Sequence, residues 1–337
     1  MFRQIPLPGK NVEVKSRWVR VCLFDGTRVL SNIIKIKALC TDKEQRNWTF
    51  NHKESEQMQS IDLGEIFIRT NRTDDNIGIL FELSVRFVRK SSAEERELTC
   101  GWVHLPLFEE GGMPTANRSL ELPVNGGTPV EKGVLLDADL GRNEQTSMFR
   151  SLIAGNKQPR CTVRLYAPAK EQKDYLDILP DTIIGCTSHM AAFAYYRQIL
   201  ADELIRDRID MMSSDIMCNP FLATFPRAAN HRACMDTLRC AWVEAQKRLN
   251  RTQKKDPNVM KNTFMKCYMD RVYPYLFVLP DGGKTNGKTP QFSDLIKSPK
   301  NKDILAMLLS ADIEHKPFNT TEVAFNIINP HCVVKSA

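Results

Sequence analysis

GILFELSVRFVRK, residues Gly78–Lys90, decides the fold of the first half of the chain. Ile79, Phe81, Leu83, Val85 and Phe87 occupy every second position, with Glu82, Ser84 and Arg86 between them. Side chains of a strand point alternately to its two faces, so the stretch reads as a strand with one buried and one polar face. Ser119–Val124 repeats the alternation, with Leu120, Leu122 and Val124 inward and Ser119, Glu121 and Pro123 outward. A proline belongs on an edge strand, because it cannot donate to a ladder.

Further strands are predicted at Trp18–Phe24, Leu30–Leu39, Gly64–Thr70, Glu97–Phe108 and Arg160–Tyr166. Turn signals separate them, among them Asp25-Gly26, Glu110-Gly111-Gly112 and Asn125-Gly126-Gly127; these residues reach turn conformations readily. Lys35 and Lys37 alternate with Ile34 and Ile36, as on a strand with one wet face. About seven short strands without an intervening helix indicate an antiparallel β-sandwich.

From about residue 181 the period becomes helical. Met190, Phe193, Ala194, Leu200, Leu204 and Ile209 form a stripe across Ser188–Met212. A second helix is predicted over His231–Leu249. A third has Asp256 as N-cap and Pro257 at its first position, and ends before Pro274. Ser298-Pro299 opens a fourth, and Asn319-Thr-Thr-Glu322 resembles a capping box for a fifth. With 337 residues the chain exceeds the usual size of a single core. The expected fold class is α+β: a flexible N-terminus (1–11), an antiparallel C2-like β-sandwich (12–168), a linker (169–180), an all-α helical domain (181–330) and a flexible tail (331–337).

Lys and Arg outnumber Asp and Glu by 47 to 40, and the excess is spread over both halves. That pattern describes a mixed surface and implies no nucleic-acid partner. None of the ten cysteines forms a Cys-x-x-Cys pair, so they read as reduced, packed thiols. The first residues lack the apolar segment of a signal peptide and no stretch is long enough to cross a bilayer, so a soluble, cytoplasmic protein is expected.

Gly282-Gly-Lys-Thr-Asn-Gly287-Lys288-Thr289 satisfies the phosphate-loop spacing, with Lys288 and Thr289 in the nucleotide-binding positions. Pro290 removes the next N–H donor, and the chain beyond it is too short to complete a parallel sheet, so a nucleotide binder is only a remote alternative. His231, Cys234 and Cys240 lack a fourth ligand for zinc. Cys186 and His189 lack an orienting acid. Asp25, Asp74 and Asp75 are too few carboxylates for a calcium site unless their loops converge. Arg17, Arg20, Lys35 and Lys37 could meet anionic headgroups, which makes a peripheral membrane-binding C2-like module the second reading. No catalytic residue, cofactor or metal site is expected.

Six strings carry a further signal: GILFEL (Gly78–Leu83), CGWVHLPLF (Cys100–Phe108), LELPVNGGTPVEKG (Leu120–Gly133), LPDTIIG (Leu179–Gly185), YRQILADEL (Tyr196–Leu204) and LATFP (Leu222–Pro226). In order and spacing they resemble the C-terminal homology region of the nephrocystin-1 family, from about Trp18 to Asn329. The resemblance implies a non-enzymatic scaffold of the ciliary transition zone and of cell junctions, with nephrocystin-4 as a partner. Family members also carry an N-terminal coiled coil and an SH3 domain; neither is found here, so a fragment or a short form is expected. The partner surface is expected on the helical half, with Tyr195, Tyr196, Phe225 and Trp242 as candidate anchors, since aromatics dominate interface energies.

Overall fold

The alternation in Gly78–Lys90 becomes the centre of a sheet. In the computed structural model, which describes residues 1–9, 11–40, 42, 45–50, 64–109, 115, 117–131, 158–205, 216–217, 219–278, 306 and 318–319, the strands are β1 (Phe2–Arg3), β2 (Val12–Phe24), β3 (Ile34–Ala38), β4 (Ile66–Arg69), β5 (Gly78–Arg89), β6 (Glu95–Pro106), β7 (Ser119–Pro123), β8 (Arg160–Arg164) and β9 (Ile183–Cys186). They form an antiparallel four-stranded sheet, β3-β2-β5-β6, a three-stranded sheet, β1-β8-β7, and a pair, β4-β9.

The register sets the faces. Val19, Val21 and Leu23 lie opposite Leu83, Phe81 and Ile79, which lie opposite Gly101, Val103 and Leu105. This face is buried against Phe2, Trp48 and Cys161, with Leu120, Leu122 and Val163 of the smaller sheet packed on the same core. Burying one such side chain contributes roughly 1.5–3 kcal/mol, against about 0.2–1 for a surface ion pair, so the apolar face decides the fold.

Three segments differ from the expectation. Where a flexible N-terminus was expected over 1–11, residues 1–9 are fastened to the fold: Phe2 and Ile5 are buried. Phe2 exchanges backbone hydrogen bonds with Trp48, at 3.0 and 2.8 Å, and sets its ring edge-on to Trp48, Phe50 and Phe81. Two apolar plugs suffice to fasten the segment, and two residues are too few to show a period. Where the linker was expected, Lys170–Ile178 is a helix, α1. Just beyond it, β9 pairs with β4.

The chain divides into two compact units, Met1–Asp174 with Pro180–Ser188, and Tyr175–Leu179 with His189–Ala337. It therefore enters the second unit, returns to the first for β9, and leaves again. On its return β9 meets Asn32, which is buried in the β2–β3 connection. The Asn32 side-chain amide donates to the Ile184 carbonyl at 2.8 Å and accepts from the Ile184 N–H at 3.0 Å. A side chain thus satisfies both backbone groups of a buried residue.

The second unit contains α2 (Met190–Leu204), α3 (Pro220–Ala229), α4 (Arg232–Arg248), α5 (Pro257–Cys267) and α6 (Tyr273–Val278). Asp256 caps α5, accepting from the backbone N–H groups of Asn258 and Val259 with Pro257 at the first position. Asn219 caps α3 in the same way through Leu222 N–H, at 3.2 Å. Helical structure does not stop before Pro274. A π-helical stretch, Tyr268–Val272, links α5 to α6, and the Tyr273 N–H donates to the Tyr268 carbonyl. The widened turn is where a proline's missing donor and bulk are accommodated. The helices expected after Ser298 and Asn319 lie almost wholly outside the described residues. There, Phe318–Asn319 pairs antiparallel with Ile216–Met217.

Candidate interaction surface

The four aromatics expected to anchor a partner form the core of the helical unit. Tyr196 and Phe225 are 0% exposed, and Tyr195 and Trp242 are 7% exposed. Tyr196 stacks on Phe225 with centroids 4.7 Å apart and planes at 15°. Tyr195 stacks on Phe264 at 5.0 Å and meets Trp242 edge-on at 5.2 Å. The polar ends are satisfied inside: Tyr196 donates to the Leu222 carbonyl at 3.3 Å, and Tyr268 bonds Thr224 at 2.9 Å. Burial raises the phenol pKa values of Tyr195, Tyr196 and Tyr268. Side chains packed this way hold the unit together and present nothing to a partner.

The surface with a recognition pattern is the outer face of the four-stranded sheet. The alternation that turns Ile79, Phe81 and Leu83 inward turns Leu80, Glu82 and Ser84 outward, beside Trp18, Arg20, Cys22 and Phe24 of β2 and Trp102 and His104 of β6. Arg20 pairs with Glu82 at 3.2 Å and with Glu97. Thr99 donates to the second Glu82 oxygen at 2.9 Å. Lys35 lies over the Trp18 ring, 4.9 Å from its centroid. Next to this charged strip, Cys22, Phe24 and Leu80 form a small cluster that is itself buried, so that only the half-buried Trp102 packed on it and the half-buried Trp18 offer apolar surface. The Trp102 indole N–H donates to the Gly126 carbonyl at 2.9 Å.

Neither a nucleophile nor a base is prepared on this face. Burial, assisted by Glu82, pushes the Cys22 thiol up to about 12, leaving it protonated at neutral pH. The His104 ring meets Phe24 edge-on at 6.0 Å. Its Nε2 has no hydrogen-bond partner among the described residues, because it abuts Gly78, where an added Cβ would collide with the ring and come within 2.6 Å of the Leu105 carbonyl oxygen. Burial lowers the His104 pKa, and its interaction with the Phe24 backbone opposes this only in part.

A depressed histidine pKa gives stability that is complete above the unfolded value, about 6.5, and is lost as pH falls through the folded one. The urea midpoint of the sheet unit is therefore expected to decline from about pH 7 to pH 5, and His104→Gln should flatten that slope. An equal slope in the variant would assign the titration elsewhere.

The basic residues considered for lipid contact are largely engaged within the fold. Arg17 donates to Gln45 at 2.9 Å, Arg20 serves two glutamates, and Lys35 covers Trp18. Asp25 and the Asp74–Asp75 pair do lie in loops at the same end of the sheet, since Phe24 is opposite Gly78. Asp25, however, accepts from the Thr27 N–H and hydroxyl and from the Arg28 N–H and Nε, at 2.7–3.2 Å. Burial raises its pKa, but these hydrogen bonds outweigh that and hold it below the usual carboxylate range. Its oxygens are committed to their own turn. No group of three His, Cys, Asp or Glu residues among the described residues is placed to hold a metal ion.

Cys186 ends β9 and His189 precedes α2, where the His189 ring packs on Phe193 at 6.1 Å. His231 is the N-cap of α4, Cys234 is buried with its thiol pushed up to about 12 by burial, and Cys240 is exposed. Gly282–Thr289 lies outside the described residues. Sequence reasoning passed over Trp18, Trp102 and the Arg20 pairs: the two-residue period puts Trp18 and Arg20 on one face of β2, and only the pairing of both strands with β5 brings Trp102 to the same face.

No family model matches the chain. It is 39% identical over 336 residues to Nephrocystin-1 of Canis lupus familiaris, a match covering 97% of this chain and 59% of that protein. It is 21% identical over 246 residues to the Nephrocystin-1-like protein of Caenorhabditis elegans, covering 73% of this chain and 32% of that one. The chain thus spans a little over half the dog protein and about a third of the nematode one.

Proposed function

The chain belongs to the nephrocystin-1 family, as a C-terminal region of it, and from that premise we propose that it is a non-enzymatic scaffold of the ciliary transition zone, and of cell junctions where these use the same assembly. Its protein partners are nephrocystin-4 and other transition-zone proteins, and the cytoplasm at the base of the cilium is its site of action. The observation that carries the reading is 39% identity to Nephrocystin-1 over a match of 336 residues that runs through both units.

The sandwich, taken as C2-like, supplies recognition through its outer face, where a charged strip lies beside the half-buried Trp18 and Trp102. Exposed ion pairs contribute only about 0.2–1 kcal/mol each, so they set orientation while the two tryptophans provide affinity.

The test is co-precipitation of nephrocystin-4 by the purified full chain, with Arg20→Glu to disturb the strip. Capture of nephrocystin-4 that weakens in Arg20→Glu is expected. Absence of capture at micromolar concentrations would overturn the partner, and undiminished capture by Arg20→Glu would move the surface elsewhere.

A further inference from the structure

The joint between α4 and α5 concentrates charge as no other described segment does. Lys247, Arg248, Arg251, Lys254 and Lys255 fall within nine residues. All five are exposed. Among the described residues none of them forms an ion pair, in contrast to Arg20 or to Lys261, which pairs with Asp202.

The joint is firmly built. Asn250 and Gln253 exchange hydrogen bonds, the Asn250 N–H donating to Gln253 Oε1 at 3.0 Å and the Gln253 N–H to Asn250 Oδ1 at 2.8 Å. The Lys254 N–H donates to the Asn250 carbonyl at 3.1 Å. Asp256, the adjacent acid, is occupied as the cap of α5, with Oδ1 accepting from Asn258 at 2.9 Å and from Val259 at 3.4 Å. The cations are thus held together at one corner and their neighbouring acid is directed into the helix.

We propose that this corner docks on an anionic lipid bilayer. Like charges on a compact turn gain little from the fold, and a negative surface offers the complementary field. The chemistry around them favours lipid over other anions. Residues 244–258 contain no aromatic side chain, whereas single-stranded nucleic acid is bound through stacking platforms between the cations. A specific acidic peptide needs pockets for its side chains, and a helix–turn–helix corner presents its side chains outward. A planar array of headgroups demands only that several cations reach it at once.

Each Lys or Arg brought to an anionic surface strengthens binding about fivefold. The full chain is therefore expected to co-sediment with phosphatidylcholine vesicles containing about 30 mol% phosphatidylserine at about 50 mM salt, to be released near 500 mM, and not to bind phosphatidylcholine alone. The triple variant Arg251→Gln, Lys254→Gln, Lys255→Gln leaves Asn250, Gln253 and Asp256 in place, and should bind about 100-fold more weakly with an unchanged melting temperature. Lys35→Gln with Lys37→Gln serves as the control and should bind like the parent.

Three outcomes overturn the proposal: no sedimentation with anionic vesicles at low salt, unchanged binding by the triple variant, or capture of soluble polyglutamate or duplex DNA without capture of vesicles.

Discussion

Phe225→Ala is expected to destabilise the helical unit by about 3–5 kcal/mol, the cost of removing an aromatic side chain from a packed core. Phe225 is fully buried and touches four other rings: Tyr196 at 4.7 Å, Phe221 at 5.5 Å, Tyr268 at 5.8 Å and Phe193 at 6.4 Å. Alanine would leave a cavity at the point where α2, α3 and the π-helical turn meet. The effect can be read unit by unit. Trp242 belongs to the helical unit, and Trp18, Trp48 and Trp102 belong to the other. Fluorescence of a chain retaining only Trp242 should lose its native signal at lower denaturant, whereas one retaining only Trp48 should report an unchanged sheet unit. If Phe225 were a partner anchor, alanine would leave stability intact and weaken binding; that result would return it to the surface.

The second large effect is expected at Asn32. Asn32→Ala removes both hydrogen bonds to Ile184 and leaves a buried N–H and carbonyl unsatisfied, at about 1–3 kcal/mol each. Asn32→Asp is the sharper variant because it substitutes an acceptor for the amide donor that meets the Ile184 carbonyl. Ionised, the new carboxylate is buried and faces a carbonyl oxygen, so at neutral pH the loss should exceed that of alanine. Protonated, it can donate to the same oxygen and restore both bonds. Its folded pKa is therefore raised above the unfolded value of about 3.9. The aspartate variant is then closest to wild type at low pH and loses stability as pH rises through that folded value. Equal stability of the alanine and aspartate variants at pH 5 and pH 8 would contradict the geometry. Urea unfolding at the two pH values measures it.

Long strands with one buried face were legible because burial writes a two-residue period. Gly78–Lys90 and Glu97–Phe108 were placed to within two residues of β5 and β6. Strand β1 was not legible, because two residues have no period. Nor was β9, since Ile183–Cys186 is a short apolar run that fits strand or helix equally. Helix α3 was hidden by Pro220 and Pro226, of which one stands at its first turn and the other inside it.

The candidate site was harder to read. Composition names aromatic residues but does not say which side of a helix is enclosed. Phe193, Ala194, Tyr195 and Tyr196 are all buried in succession, so α2 is surrounded rather than amphipathic, and a stripe analysis cannot separate core from surface on such a helix. The basic corner escaped for a different reason. Charges counted by halves average away a cluster formed by one turn between two helices.

The return of the chain through β9 also determines how the protein bears load. Thr187–His189 is a single 3₁₀ turn, and it leads from β9 directly into α2. A pull on the chain at Thr187 is therefore passed directly to β9. There it is resisted by the four-residue pairing with β4 and by the two Asn32 bonds together. Asn32 thus acts as a mechanical clamp on β9, and Asn32→Ala should lower the force at which β9 is drawn out of the sheet unit in single-molecule pulling.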